Sequence, residues 1–165
     1  MLIALLGSLF GSSSQDKSHE AEMANAAAVQ AIYTAVFAHE NWNNQLHTFV
    51  ENASRKMFAA KELSFAGGSE LGKWIHSIGK AKFAHYPDFK LLMEHHNMFQ
   101  YAAANVISQV EAGKINEANH LLAGPFEYFS DVIIADLLRL RAVVESTWSG
   151  KSAPGYSCRR LDLHQ

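Results

Sequence analysis

Apolar residues recur at helical spacings along most of this chain. From Ser12 to Ala66 there is no Gly or Pro, and one stripe recurs at spacings of three, four and seven, formed by Ile32, Val36, His39, Leu46, Val50 and Ala53. This period predicts one long helix, from about Ser18 to the high 50s, with a single buried face. No segment shows the period of two that is typical of a β-strand.

A short second helix is predicted after Gly67-Gly68. Ser69 precedes Glu70 as an N-cap followed by an acid in the first turn, which the helix dipole favours. Its apolar side carries Leu71, Trp74 and Ile75, and we expect it to stop at Gly79.

Two longer helical regions follow. Pro87 suits a first helical turn, and the third stripe runs from there to Gly113 through Phe89, Leu92, Met93, His96, Phe99, Ala103, Val106, Ile107 and Val110. The fourth region begins near Asn116, and Gly124-Pro125 should kink or break it. It resumes through Phe129, Val132, Ile133, Leu137, Leu140, Val144 and Trp148.

The predicted fold class is therefore all-α: a four-helix bundle with a short additional helix laid across one end or side. The bundle is expected to occupy residues 18–148. Residues 1–17 form an apolar and Ser-rich N-terminal segment, and residues 149–165, with two Gly and one Pro, form a flexible tail.

Composition narrows the class of protein. A chain of 165 residues with 48% hydrophobic and 18% charged residues fits one globular domain. A net charge of −2 gives no basic surface for nucleic acid. A single cysteine, Cys158, points to a reduced, cytoplasmic protein rather than a disulfide framework.

The N-terminal segment is apolar but too short to span a bilayer. Membrane contact through residues 1–11 is not expected, although one helical face there would be apolar. That face predicts a two-fold homodimer, because a monomer of this size has difficulty covering it; its residues are Leu2, Leu5, Leu6, Leu9 and Phe10.

Two of the nine histidines occupy core-phase positions. His39 belongs to the first stripe, and His96 lies between Met93 and Phe99 on the third, with Gln100 one turn further on the same face. A buried imidazole requires a hydrogen bond or a metal ion. A single buried histidine is more often a hydrogen-bonded core residue than a metal ligand. Two buried histidines on different helices weaken this preference but do not reverse it.

Residues 36–107 resemble the chemoreceptor zinc-binding (CZB) family. The resemblance lies in four motifs: His39-Glu-Asn-Trp42 followed by Leu46, Ser69-Glu-Leu-Gly-Lys-Trp74-Ile75, His85-Tyr-Pro-Asp-Phe89, and His96-Asn-Met-Phe99-Gln100. It implies a cytoplasmic four-helix sensor module, of the kind fused to chemotaxis receptors or diguanylate cyclases.

The resemblance places the four zinc-ligand positions of the family at His39, Ser69, His96 and Gln100. Two of these keep a histidine, while Ser69 replaces a cysteine and Gln100 replaces a histidine. Zinc depends on thiolate and imidazole donors, so zinc, the candidate cofactor, should bind far more weakly here. Residues expected to support the site are Trp42, Leu71, Gly72, Trp74 and His85.

The leading hypothesis is therefore a sensory and signalling module, acting in chemotaxis or a similar pathway, with a degenerate zinc site. It would act as a stand-alone module or by pairing with a signalling partner. The alternative is a metal-free helical interaction and assembly protein that keeps only the fold. We predict no enzyme, because the sequence shows no activated nucleophile or acid–base pair. If zinc nevertheless binds tightly, His95 is the first candidate for the missing donor.

Overall fold

The computed structural model describes residues 14–54 and 69–148, and these residues form an all-α bundle with no β-strand among them. Helix α1 (Ser14–Ser54) is the longest element. The short second region consists of α2 (Glu70–Trp74), a π-helical turn (Ile75–Gly79) and α3 (Lys80–Phe83). Helix α4 (Pro87–Glu111) follows, then α5 (Ile115–Leu121), a second π-helical turn (Leu122–Phe126) and α6 (Glu127–Trp148).

Helix α1 begins four residues earlier than the apolar stripe indicates. Its N-terminal residues 15–24 are all exposed, so no buried face marks this part of the helix in the sequence. The stripe itself is confirmed: Ile32, Leu46 and Val50 are buried against the other long helices.

Gly79 does not end the second helix, contrary to prediction. Its backbone is right-handed helical, and the helix continues to Phe83. A Cβ at Gly79 would lie 3.0 Å from ring atoms of both Phe89 and Trp74. The glycine therefore permits close packing of two aromatic side chains and does not terminate the helix.

Gly124-Pro125 interrupts the α-helical structure of the fourth region, as predicted, but does not end the helical course of the chain. A π-helical turn spans both residues and joins α5 directly to α6. This wider turn accommodates the proline, whose ring and missing N–H are incompatible with a regular α-helical hydrogen bond. By contrast Gly113 acts as predicted: its φ of 72° lies in the left-handed region just after α4.

The core joins the faces of all four helical regions. Its largest fully buried side chains include four phenylalanines, Phe83, Phe89, Phe99 and Phe126. Helix α6 packs against both α1 and α4, while α2 packs against α1. This arrangement brings residues of α1, α2, α4 and α6 to one end of the core. Among the residues that the structure describes, no helix has the length and apolar character needed to cross a membrane.

Candidate functional site

The first part of the site is a polar contact between α2 and α4. Ser69 Oγ lies 3.3 Å from Nε2 of His96, and both residues are buried. The same Oγ accepts a hydrogen bond of 3.0 Å from the backbone N–H of Gly72, so Ser69 caps the N-terminus of α2. One hydroxyl thus serves as the helix cap and as the partner of the buried imidazole.

Gly72 and Gln100 complete this group. A Cβ at Gly72 would lie 3.2 Å from Cε1 of His96, 3.3 Å from Oγ of Ser69 and 3.5 Å from Nε2 of Gln100. The side chains of His96, Ser69 and Gln100 therefore converge on Gly72, which has no side chain of its own. Gln100 lies at the exposed edge of this group, and its amide forms no hydrogen bond to His39 or His96.

His39 forms the second part of the site with residues that the sequence did not indicate. Its Nε2 lies 2.9 Å from Oγ of Ser130 on α6, with a direction that follows the imidazole tautomer. Asn43, one turn along α1, donates a hydrogen bond of 2.7 Å to the same oxygen. His39 and Ser130 are both buried, so this contact joins the first and last long helices inside the core.

The apolar spacing along α6 could have identified Ser130 as a buried residue. It lies four residues after Phe126 and three before Ile133, both fully buried, so it occupies the buried phase of its helix. A polar residue in that phase must find a partner, and His39 provides one.

Phe99 lies beside both histidines. The ring centroids of His39 and Phe99 are 4.7 Å apart, and those of His96 and Phe99 are 6.4 Å apart. The four family ligand positions are therefore neighbours, but they divide into a His96–Ser69–Gln100 group and a His39–Ser130 pair.

Both buried imidazoles are held neutral. Burial, with a smaller contribution from nearby His96, lowers the pKa of His39 from 6.5 to about 4, although a hydrogen bond to the Ser130 backbone opposes this. Burial, followed by the effect of His76, lowers the pKa of His96 from 6.5 to about 4. A charged imidazole would lose its hydration there without gaining an acidic partner.

The predicted supporting residues are mostly packing residues. Leu71 and Trp74 are buried on α2, and Trp74 packs on Phe83 and Phe89. Trp42 packs edge-on against Phe99, with ring centroids 5.3 Å apart. His85 is exposed beside Tyr86 at the entry to α4 and lies outside the cluster.

His95 does not face the site. Its Nδ1 lies 2.6 Å from Oδ2 of Asp136 on α6, whose other carboxylate oxygen accepts a hydrogen bond from Arg139. Asp136 is fully buried, so His95 and Arg139 compensate a buried carboxylate. The apolar pattern did not indicate Asp136 as a buried residue, although Asp136 follows buried Ile133 by three residues.

The other histidines of the described chain lie outside this cluster. His47 pairs with Glu127 at 2.5 Å on the partly exposed side of α1. His76, like His19 and His120, is exposed. Cys158 and His164, and the apolar residues 1–11, fall outside the residues that the structure describes.

The donor set does not fit a zinc ion. Ser69 offers a neutral hydroxyl that already accepts from Gly72, and Nε2 of His39 is directed to Ser130. Gln100 contributes only an amide. In residues 14–54 and 69–148 no group of three or more His, Cys, Asp or Glu side chains is arranged to hold a metal. Two imidazoles with neutral oxygens are a weak donor set for zinc.

Comparisons with known proteins add no assignment. No family model matches the chain, and neither the curated proteins nor the solved structures give a match. The described residues define an all-α bundle that carries two buried histidines.

Proposed function

We propose that this chain is a cytoplasmic sensory and signalling module similar to the CZB domain, in which the zinc site has lost half of its ligands. The observation that carries the proposal is the placement of Ser69 and His96. The motif that begins at Ser69 and the motif that begins at His96 are 27 residues apart, and their first side chains form a buried contact of 3.3 Å.

The contacts of the substituted ligand positions also support this proposal. Ser69 has nearly the size of the cysteine of the family, and its hydroxyl satisfies the imidazole that would otherwise be left unpaired in the core. The buried polar cluster links α2 to α4, while the His39–Ser130 pair links α1 to α6. A change at either contact would alter how the helices pack, which is how a bundle can transmit a signal.

The proposal is tested by measuring the zinc content of four purified proteins. The native chain should hold substoichiometric zinc, and the double variant Ser69→Cys/Gln100→His should hold one zinc per chain. Adding His96→Ala to that double variant should abolish binding, whereas adding the exposed control His120→Ala should not. If the double variant binds no zinc, the proposed relation to the CZB zinc site is contradicted.

A second candidate function is assembly. Phe37 is 72% exposed and Tyr101 is 70% exposed, large values for aromatic side chains on rigid helices. We propose as the alternative that these positions serve contacts with a second copy or another helical protein, with the histidine cluster serving stability alone. Sedimentation velocity over about a hundredfold range of protein concentration would detect self-association. A monomer throughout would contradict the homodimer.

A further inference from the structure

A cavity of about 220 Å³ adjoins the histidine cluster and has no role in the functions considered above. It lies along α4, between Trp42 of α1 and Ser69 at the start of α2. For comparison, an engineered protein cavity of about 150 Å³ lined by aliphatic and aromatic side chains binds benzene. The cavity is therefore large enough for one substituted aromatic ring.

The walls of the cavity suit a flat apolar group. Phe99, which is only 1% exposed, forms the inner surface, and Trp42 stands at 65° to it with 5.3 Å between ring centroids. Ala103 and Ala104 line the cavity from α4, so the helix leaves room there that larger side chains would fill. A ring inserted in this corner would stack on one aromatic face and meet the edge of the other.

One end of the cavity is polar but uncharged. Ser69 and Gln100 line it with a hydroxyl and an amide, which together can donate and accept hydrogen bonds. Gly72 adds no side chain at this end: a Cβ there would approach both of them within 3.5 Å. No Asp, Glu, Lys or Arg is among the described lining residues, so none of these residues compensates a charged ligand.

We propose that this cavity binds a small neutral aromatic molecule with one hydrogen-bonding substituent, its ring against the Trp42 and Phe99 side chains and its substituent on Ser69 and Gln100. Ser69 and Gln100, the two positions at which this chain lacks the zinc-binding residues of the CZB family, would then form the polar contacts to an organic molecule. The inference deepens the proposed sensory function by naming the class of molecule that is sensed, and in that respect it rests on it.

Benzamide is the probe, titrated into the full chain by calorimetry. We expect saturable binding of one molecule per chain. Benzoate and benzylammonium, which have the same ring with a charge, should bind at least about tenfold more weakly. Equal affinity for the charged probes, or no saturable binding of benzamide, would overturn the proposal.

Ala104→Leu is the matched test of location, because Ala104 lines the cavity at an exposed helix position that tolerates leucine. It should weaken benzamide binding by about tenfold. The control Ala135→Leu, exposed on α6, should leave binding unchanged. Binding that survives Ala104→Leu would place the probe elsewhere and refute the assignment.

Gln100→Leu provides a second test that does not depend on filling the cavity. It should reduce the preference for benzamide over toluene, and an unchanged preference would contradict the role of Gln100. The zinc titration of Ser69→Cys/Gln100→His separates the two proposals. If benzamide does not bind while the double variant binds zinc, only the aromatic-ligand proposal is contradicted. If benzamide binds while the double variant does not bind zinc, the cavity proposal holds and the relation to the CZB family is contradicted.

Discussion

His39 and Ser130 meet at 2.9 Å in the core although 91 residues separate them in the chain. The first buried histidine therefore takes its hydrogen bond from α6 and not from the short helix that begins at Ser69. Asn43 donates a second hydrogen bond to the same hydroxyl, so two polar side chains of α1 depend on one serine of α6.

Ser130→Ala should destabilise the protein by about 2 kcal/mol. It leaves the His39 imidazole and the Asn43 amide without their shared partner in a region closed to water. Chemical denaturation at neutral pH measures the loss. The control Ser108→Ala, at an exposed position of α4, should change the free energy of unfolding by less than about 0.5 kcal/mol. Equal effects of the two variants would show that the His39 contact contributes nothing.

Stability should fall as the pH is lowered from about 6.5 to about 4. The pKa of each buried histidine is near 4 in the folded protein and 6.5 when unfolded, so in this window the unfolded chain binds more protons. Each histidine accounts for at most about 3 kcal/mol of the loss. The full contribution is present above the unfolded pKa, and the loss levels off below the folded one.

Urea denaturation across this pH range checks the effect. His96→Gln should reduce the slope of unfolding free energy against pH, whereas His120→Gln, at an exposed position, should leave the slope unchanged. A slope that is the same in all three proteins would mean that carboxylates alone cause the acid lability.

Gly72→Ala should destabilise the fold, by about 1 to 2 kcal/mol, because its Cβ would press on Cε1 of His96 at 3.2 Å and Oγ of Ser69 at 3.3 Å. Gly124→Ala is the matched control: nothing outside its own helix and chain neighbours lies within 4 Å of a Cβ there, and the helix propensity of alanine offsets the steric restriction before Pro125. The melting temperature should fall for Gly72→Ala and change far less for Gly124→Ala. A stabilising Gly72→Ala would show that the cluster has room for a methyl group.

Asp136→Asn should lower stability by about 2 to 3 kcal/mol, because it removes the fully buried charge that pairs with His95 and Arg139. Asp131→Asn on the exposed side of the same helix should have little effect. Thermal unfolding of the two variants gives the comparison, and similar melting temperatures would contradict the compensation of a buried carboxylate.

The two substitutions that restore the zinc ligands should be strongly non-additive. Ser69→Cys alone should cost about 1 kcal/mol, because a thiol is a poor cap for α2, and Gln100→His alone should change little. Together they supply four ligands, and zinc at a hundredfold excess over its dissociation constant then stabilises by about 2.7 kcal/mol. Melting with and without zinc in all four proteins measures the coupling. Additive shifts would contradict a shared site.

The apolar periodicity was sufficient to predict the long helices and most of the core, because burial and a period of 3.6 residues coincide along α1, α4 and α6. It failed at Gly79, and at Pro125 it indicated an interruption without indicating the π-helical turn that forms there. Each residue usually ends a helix, but close aromatic packing fixes the first and a π-helical turn accommodates the second. Such effects depend on contacts between distant segments, which periodicity does not contain.

The candidate site was predictable only in part. Core phase identified His39 and His96 as buried, and the resemblance placed Ser69 beside His96. The partner of His39 could not be chosen from the sequence, because Ser130 and Asp136 are both buried on α6 and only the packing of that helix brings Ser130 to His39. Gln100 follows His96 by four residues, and in a helix of 3.6 residues per turn that step goes about 40° past a full turn, so Gln100 lies at the exposed edge of the site.

Helix α1 has 41 residues and is about 60 Å long, well beyond the 22 residues of α6 that pack against it. Its N-terminal residues 15–24 are exposed, and a pivot near His39 would make this end of the helix the long arm of a lever. A tilt of about 5° at the pivot would displace the start of the helix by on the order of 3 Å. A rearrangement too small to disturb the core would thus be magnified into a movement that another protein can detect.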